Sequence, residues 1–465
     1  MVVRRSGCGN ELHLLGLIEF GHKADRVRNS RPVSEEDTVF AVSTGLGPAG
    51  VAVIRISGPD ADAVFELTKS VKTPEPRQAV IRTLFDGATG RRLDEALVLR
   101  FIEPQSYTGE NAVELHVHGG RAVVSAVLAA LAGLPRFRPA EPGEFTRRAV
   151  QNGRLDLTRA EAIADLIAAD TESQHSLALR QYDGALAEQY SQWRQRLIRS
   201  AAWIEANIDF PDEELPDGVW EASRAELQKL LGEMDAQLRD ARRGEIIRDG
   251  FHVAVIGPPN VGKSSLVNAL AQRDVAIVSD FPGTTRDIIE VKLDLGGYAV
   301  VLADTAGLRE SVEPVEQEGI RRAKARAEVA DFRLLVLDAS SPAAALPAEA
   351  ELVVWNKADL CPAKEAGRQY ISAKSGEGID ALISRIADAA RHRVNGAEPP
   401  LLTRARHRYA VEEARQRIAT ALDECEPELA AEQLRIALRA LGRITGTVDL
   451  DELLDVVFRD FCIGK

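Results

Sequence analysis

The chain has 465 residues, 45% of them hydrophobic and 28% charged, which predicts about three folded domains rather than a linker-dominated protein. Its 58 basic and 71 acidic residues give a net charge of −13, which argues against a stand-alone nucleic-acid coat but allows a local basic face. The four cysteines lie far apart, and no apolar run reaches the roughly 18 residues that a membrane-spanning helix needs. These features favour a protein of the reducing cytoplasm with no membrane partner.

Residues 1–35 carry Gly, Arg and Ser without hydrophobic periodicity. We interpret them as an extension that is disordered, or that reflects a start codon placed too far upstream. A targeting peptide is the alternative, since Arg4 and Arg5 precede an apolar stretch at 12–18. Against this alternative, His13 interrupts the stretch and no small-residue cleavage site follows it.

Strands and helices alternate at short spacing from residue 38 to about residue 150 and predict a compact α/β or α+β domain. Strands are predicted over 38–42, 51–57, 96–102 and 112–117, and helices over 60–68 and 120–131.

Helical periodicity dominates residues 155 to about 248 and returns from residue 403 to the C-terminus, after the Pro399-Pro400 pair. Thr158 and Glu161 have the spacing of a capping box, which predicts a helix N-terminus there. Between the two helical stretches, short apolar runs occur at 253–256, 299–303, 334–337, 352–355 and 370–372. Runs of this kind suit a buried parallel sheet. The pattern therefore predicts an α/β domain inserted into a helical domain whose two halves pack together.

The most specific motif is G-x-x-x-x-G-K-S at 257–264, which follows a predicted strand and begins an apolar helix. Its glycines allow backbone N–H groups to approach phosphate oxygens, and the helix N-terminus adds positive potential. We expect Lys263 to contact the β- and γ-phosphates and the Ser264 hydroxyl to bind Mg²⁺. The alternative, a glycine-rich turn with an exposed lysine, is disfavoured by the strand–loop–helix context.

Four further motifs occur in the order expected of a guanine-nucleotide site. In D-T-A-G, Asp304 is placed to hold Mg²⁺ through water and Gly307 to contact the γ-phosphate. In N-K-A-D, Asp359 can accept hydrogen bonds from N1–H and the exocyclic amine of guanine, which adenine cannot supply. The loop G-T-T-R-D offers Thr285 to Mg²⁺, and S-A-K at 372–374 completes the base pocket. The residues predicted to bind GTP are Asn260, Val261, Gly262, Lys263, Ser264, Ser265, Ser279, Thr284, Thr285, Asp304, Thr305, Ala306, Gly307, Asn356, Lys357, Ala358, Asp359, Ser372, Ala373 and Lys374.

The residue directly after D-T-A-G is Leu308, where small regulatory GTPases carry the glutamine that orients the attacking water. A leucine has no polar group, so another residue must take this role. The nearby acidic stretch at 310–318 offers side chains that could orient the water.

Motifs in all three predicted domains carry a family resemblance. They are I-R-I-S-G at 54–58, Y-T-G-E-N at 107–111, H-G-G at 118–120, R-P-A-E-P-G-E-F-T at 138–146, L-D-L at 155–157, A-E-A-I-A-D-L-I at 160–167, D-F-P-D-E-E at 209–214 and F-C-I-G-K at 461–465. With these and the nucleotide motifs, the chain from about residue 38 resembles the MnmE (TrmE) family of tRNA-modification GTPases. The resemblance does not extend to residues 1–35.

The resemblance implies an α/β P-loop GTPase domain inserted in an all-helical domain, preceded by a small α+β folate-binding domain. The expected divisions are 1–35, 36–152, 153–249, 250–394 and 395–465. The first domain would bind 5-formyl-tetrahydrofolate or 5,10-methylene-tetrahydrofolate through Arg55, Glu114, Arg154 and Lys465. Without the resemblance, Arg55 and Glu114 are equally well strand residues on a solvated face.

The resemblance also implies a homodimer that works with MnmG (GidA), an FAD-dependent partner. Together they would add an aminomethyl or carboxymethylaminomethyl group to carbon 5 of the tRNA wobble uridine. Fast GTP hydrolysis would need K⁺, held by oxygens of Asn260, Ser279, Phe281 and Thr284. Glu316 matches the family's catalytic glutamate, with Lys263 and Thr285 completing the catalytic set; the alternative for Glu316 is a solvated carboxylate near a helix start.

Two interpretations stay open. In the first, GTP hydrolysis drives a domain rearrangement that assembles or resets a tRNA-modification site. In the second, the chain is a pure switch, such as a ribosome-assembly GTPase, whose other domains carry no chemistry. The folate-contact set and the segment 462–465 favour the first.

Overall fold

The computed structural model describes residues 37–45, 47–70, 72–209, 219–273, 275–277, 290–304, 329–341, 350–361, 364–396, 399–448, 454 and 464. These residues form two compact units. The first contains residues 37–102 and 111–139, and the second contains residues 103–110 and 140–464.

The first unit is built on a six-stranded sheet. Its elements in chain order are β1 (Thr38–Val42), β2 (Ala49–Ser57), a 3₁₀ helix (Ala61–Thr68), β3 (Val80–Phe85), β4 (Arg92–Phe101), β5 (Ala112–Gly119), α1 (Arg121–Ala132) and β6 (Phe137–Pro139). The strand order is β3-β4-β5-β2-β1-β6, with β1 and β6 parallel and the other neighbours antiparallel.

Side chains along β2 point alternately to the two faces of the first sheet, and their burial shows which face is covered. Ile54 and Ile56 are fully buried in an apolar cluster with Val127 of α1, while Arg55 lies on the opposite face. The helix predicted over 60–68 is a 3₁₀ helix, which ends at Lys69 in a left-handed conformation with φ of 50°. The edge strands β3 and β6 were not predicted; β6 has only three residues, which is too short to give a pattern in the sequence.

The second unit contains most of the helices. They are α2 (Glu144–Gln151), α3 (Leu157–Ala168), α4 (Glu172–Tyr182), α5 (Ala185–Asp209), α6 (Val219–Asp249), α7 (Lys263–Ala271), α8 (Ile379–Val394), α9 (Ala405–Asp423) and α10 (Pro427–Thr445). None of the helices in the described part of the chain is both long and apolar enough to cross a membrane.

Helices from both sides of the predicted insertion share one core. Trp193 of α5 and Met234 of α6 lie in the same buried apolar cluster as Val411 of α9 and Leu434 of α10. The helical stretches before and after the α/β segment therefore form a single packed body, as the periodicity predicted.

The capping box predicted at Thr158 and Glu161 is wrong. Helix α3 begins at Leu157, and its N-cap is Asp156, whose side chain accepts a hydrogen bond from the N–H of Arg159 at 3.0 Å. Glu161 lies further along the helix and is buried, so it does not serve the cap.

The second sheet has the strand order β12-β11-β10-β7-β9-β8. Its strands are β7 (Phe251–Ile256), β8 (Glu290–Asp294), β9 (Ala299–Asp304), β10 (Phe332–Asp338), β11 (Leu352–Asn356) and β12 (Gln369–Tyr370). Five of them are parallel and β8 is antiparallel to β9. The run predicted at 370–372 is shorter as a strand, which ends at Tyr370. Because the five strands are parallel, the loops that follow them meet at one edge, which we call the carboxyl edge.

Candidate nucleotide-binding site

The loop at 257–264 connects β7 to α7 at the carboxyl edge of the second sheet. It turns sharply, with φ of 146° at Gly257 and 93° at Gly262, values that favour glycine. A Cβ on Gly257 would lie 2.2 Å from the carbonyl oxygen of Val336, and one on Gly262 would lie 2.4 Å from Nδ2 of Asn356. Both glycines are therefore required by close packing as well as by backbone conformation.

Lys263 is the first residue of α7 and is largely buried. Its Nζ donates hydrogen bonds to the carbonyl oxygens of Gly257 and Pro258, both at 2.9 Å. These contacts hold the ammonium over the loop, next to the N-terminal end of a helix. An ammonium and a helix N-terminus both attract anions, so the loop is electrostatically suited to phosphate.

The neighbouring loop residues differ in exposure. Val261 is buried, whereas Asn260, Ser264 and Ser265 are exposed. Asn260 has a φ of 62°, in the left-handed region that asparagine tolerates better than most residues. The hydroxyl of Ser264 lies in the first turn of α7, where an oxygen ligand can face a bound phosphate.

Asn356 joins the phosphate loop to a second loop. It ends β11 and is buried. Its Nδ2 donates to the carbonyl oxygen of Val261 at 2.9 Å, and its Oδ1 accepts from the N–H of Ala373 at 3.0 Å. The structure therefore brings together three predicted motifs that are far apart in the sequence.

Asp359 and Ser372 form a pair beside this junction. The Ser372 hydroxyl donates to Oδ1 of Asp359 at 2.6 Å and accepts from the N–H of Ser375 at 3.1 Å. The hydrogen bond from Ser372 holds the pKa of Asp359 below its ordinary value, so the carboxyl group is ionised at neutral pH. Ser372 is fully buried and Asp359 is exposed, which orients a carboxylate toward the surface of the carboxyl edge.

Lys357 forms an ion pair that sequence reasoning missed. It has a φ of 66°, and its Nζ lies 2.6 Å from Oδ2 of Asp338 at the end of β10. Burial acts against ionisation of Asp338, but hydrogen bonds from Lys357 and Ser340 outweigh it and lower the pKa. The available signal was an aspartate directly after the apolar run at 334–337, since such a residue falls at the same edge as the other loops.

Several predicted site residues lie partly or wholly outside the described residues. Asp304 is the last residue of β9, in register with Val255 of β7, but its side chain lies outside the described residues. The predicted residues wholly outside the described part are Ser279, Phe281, Thr284, Thr285, Thr305, Ala306, Gly307, Glu316 and Lys465.

Comparison with known proteins decides the family. A model described as the GTP-binding protein TrmE N-terminus matches residues 38–154, and one described as the MnmE helical domain matches residues 157–462. Proteins named tRNA modification GTPase MnmE are 50% identical over 437 residues in Parvibaculum lavamentivorans, 51% over 453 in Rhodospirillum rubrum and 51% over 445 in Paramagnetospirillum magneticum. Each alignment covers 92% of this chain and at least 99% of the relative.

The chain belongs to the MnmE family.

Membership of the MnmE family confirms the predicted family, the predicted enzyme class, a GTPase, and the predicted fold class. The GTPase domain is the α/β segment built on the second sheet, and it lies between the two helical stretches that share a core.

In this MnmE-family chain, the residues predicted to bind folate fall in both units. Arg55 and Glu114 are cross-strand partners on the face of the first sheet opposite its core. Nε of Arg55 donates to Oε1 of Glu114 at 3.1 Å, and Nε2 of His116 lies 3.7 Å from Oε2. Arg154 is exposed after α2 in the second unit. The first sheet thus carries a charged pair and His116 on this face, and Leu97, the cross-strand partner of His116, is partly exposed there.

Proposed function

We propose that this MnmE-family GTPase modifies the wobble uridine of tRNA and binds GTP at the carboxyl edge of the second sheet. The observation that supports the site most directly is the pair of hydrogen bonds made by Asn356, to Val261 of the phosphate loop and to Ala373 of the S-A-K loop. The buried side-chain amide of Asn356 thus holds together the phosphate loop and the S-A-K loop, which is suited to binding a base.

In this proposal, each loop has a distinct role. Lys263 contacts the β- and γ-phosphates, and the backbone N–H groups of the loop bind phosphate oxygens. Ser264, with Thr285 and Asp304, holds Mg²⁺, a hard cation that prefers oxygen ligands. Asp359 accepts hydrogen bonds from guanine, and Ser372 fixes the orientation of its carboxylate.

For hydrolysis we propose that Glu316 orients the attacking water, since Leu308 cannot. K⁺ would offset the charge that develops on the transferred phosphoryl group. Its proposed ligands are Asn260, Ser279, Phe281 and Thr284. Among these, Asn260 is exposed in the phosphate loop, where a side-chain oxygen is accessible.

For the modification itself we propose a tetrahydrofolate one-carbon unit, bound through Arg55, Glu114, Arg154 and Lys465. The Arg55–Glu114 pair supports this, because a carboxylate can accept from the donor edge of a pterin while a guanidinium binds the carboxylates of the folate tail. We further propose a cytoplasmic homodimer that acts with the FAD-dependent partner MnmG.

The decisive experiment is mass spectrometry of tRNA nucleosides from cells that lack this gene. We expect the modified wobble uridine to be absent and to return when the wild-type gene is restored. An unchanged nucleoside profile would contradict the tRNA function, whatever the purified protein binds.

The Asp359→Asn variant tests the nucleotide site in the same cells and in vitro. Losing two hydrogen bonds to a charged acceptor, each worth about 1.5–3 kcal/mol, should weaken GTP binding by about 100-fold or more. Binding of xanthosine triphosphate should rise, because xanthine offers a carbonyl where guanine offers an amine. The control is Asp380→Asn, which removes an exposed carboxylate paired with Arg273. An equal loss of affinity for GTP and for xanthosine triphosphate would contradict the assigned role of Asp359.

A further inference from the structure

Two arginines mark the places where the chain crosses between the helical body and the GTPase domain. Arg248 lies in the last turn of α6, three residues before β7, and Arg404 lies directly before α9. Nε of Arg248 and Nη2 of Arg404 both donate to the same atom, Oδ1 of Asp165, at 3.0 and 2.7 Å. One carboxylate on α3 therefore binds the entry and the exit of the inserted domain.

Glu161 reinforces the exit crossing one helical turn before Asp165. It is buried, and its two oxygens accept from Nε and Nη2 of Arg406, each at 2.6 Å. Nη2 of Arg404 also donates to the carbonyl oxygen of Glu161 at 3.3 Å. The start of α9 is thereby fixed to α3 by charge-assisted hydrogen bonds, which are among the strongest in a protein.

The corner between α3 and α4 also contacts the GTPase domain directly. Ser173 donates from Oγ to the carbonyl oxygen of Gly297 at 2.6 Å, and Nζ of Lys292 lies 3.0 Å from Oδ2 of Asp170. Gly297 and Lys292 belong to the β8–β9 hairpin. This hairpin connects the segment with the predicted ligands Ser279 to Thr285 to the segment that begins at Asp304.

We propose that Asp165 is the positioning residue that sets the orientation of the GTPase domain on the helical body. This inference rests on the proposed function, because it requires that GTP binding and hydrolysis affect the helical body through the α3–α4 corner. In the described part of the chain, the domains are joined covalently at these two crossings, and Asp165 is bound at both. Removing its charge leaves the nucleotide site intact but frees the domain to reorient.

The test compares Asp165→Asn with Asp235→Asn. Asp235 is a matched control, since it also pairs with an arginine in the helical body, Nε of Arg415 at 2.9 Å, but between α6 and α9 rather than at a crossing. Spin labels are placed on Cys425, which is exposed, and on a cysteine introduced by Asp388→Cys at an exposed position of α8. The other three cysteines are changed to serine. Pulsed electron paramagnetic resonance then gives the distribution of distances between the helical body and the GTPase domain in the GDP-bound full chain.

We expect Asp165→Asn to broaden this distribution at least twofold and to lower wobble modification in cells at least tenfold. Turnover of GTP should stay within twofold of the wild type, and the Asp235→Asn control should match the wild type in all three measurements. If Asp165→Asn does not fold, Arg404→Lys and Arg248→Lys carry the same test, because each keeps the charge and loses the planar fork.

A distance distribution equal to that of the control overturns the inference, and so does a parallel loss of GTP turnover. Failure of the proposed function gives a different result: the wild type itself would leave tRNA unmodified, while the distance measurement would still report on Asp165. Asp165→Glu keeps the carboxylate but changes the shape of the side chain. A narrow distance distribution in this variant would support the positioning role, because it would show that the shape of the aspartate is not what is required.

Discussion

Glu161 and His407 illustrate how a buried ionic cluster depends on the protonation of single residues. Nε2 of His407 lies 3.0 Å from Oε2 of Glu161, and both side chains are almost completely buried. Burial and the nearby charge of Arg406 lower the pKa of His407 to about 4. The imidazole is therefore neutral at pH 7, and the carboxylate of Glu161 is held ionised by Arg406.

From this shift we predict that acid destabilises the helical body well above the pH at which carboxylates titrate. The unfolded histidine has a pKa near 6.5, so between pH 6.5 and 4 the unfolded state binds more protons than the folded state. The free energy of unfolding should fall by about 2 kcal/mol between pH 7 and pH 5 through His407 alone. The measurement is urea unfolding followed by helical circular dichroism at both pH values.

His407→Gln is the control for this prediction, since a glutamine does not titrate. Its free energy of unfolding should change less between pH 7 and pH 5, by the amount assigned to His407. An identical pH dependence in the variant and the wild type would show that other groups cause the acid response.

At the scale of single elements, local signals predicted most of the nucleotide site. Strands β7, β9, β10 and β11 contain continuous apolar runs, and β7, β9 and β11 are each followed by a motif whose residues lie within a few positions of one another. The ion pair between Lys357 and Asp338 and the shared carboxylate of Asp165 were not predicted. Their partners are distant in the sequence and no local spacing brings them together. The antiparallel edge strand β8 was missed because three of its five residues are charged.

The start of α3 shows how two local signals can compete. Asp156 and Thr158 both precede a helical run, and the capping-box spacing favoured Thr158. The structure uses Asp156 as the N-cap because Glu161, the other half of the supposed box, is bound by Arg406 and His407 from α9. A long-range ionic contact thus overrides a local pattern.

For the element formed by the phosphate loop, we predict that Gly262→Ala abolishes nucleotide binding without unfolding the domain. The added Cβ would collide with Nδ2 of Asn356, and alanine at a φ of 93° costs about 1–2 kcal/mol. Displacing Asn356 breaks its bonds to Val261 and Ala373, so the affinity for GTP should fall at least 100-fold. Calorimetric titration with GDP and with a non-hydrolysable GTP analogue measures this.

Gly232→Ala is the matched control for the phosphate-loop variant. Gly232 is exposed in the middle of α6 and an added Cβ meets no atom within 4 Å. Alanine there should raise the stability of the helix by about 0.5–1 kcal/mol and leave GTP affinity unchanged. If Gly262→Ala bound nucleotide as tightly as Gly232→Ala, the loop would have to adopt another conformation around phosphate.

At the scale of the whole molecule, the core of the helical body is discontinuous in sequence. Helices α5 and α6 supply one half and α9 and α10 the other, in one apolar cluster that includes Leu197, Leu230, Ile418 and Leu441. Neither half can bury its apolar face alone. The GTPase domain, by contrast, has a separate cluster, formed by residues such as Val255, Leu266 and Ile386, to which α6 adds Ile246.

This arrangement predicts opposite outcomes for two deletions. Replacing residues 251–398 with a flexible linker of about eight residues, which spans up to about 26 Å, should leave the helical body folded, because Arg248 and Arg404 already meet at Asp165. Removing residues 399–465 instead exposes the apolar faces of α5 and α6, and we expect aggregation. Circular dichroism and size-exclusion chromatography distinguish the two. A molten or aggregated product of the first deletion would show that the helical body needs the GTPase domain in order to fold, and that the insertion is not an independent module.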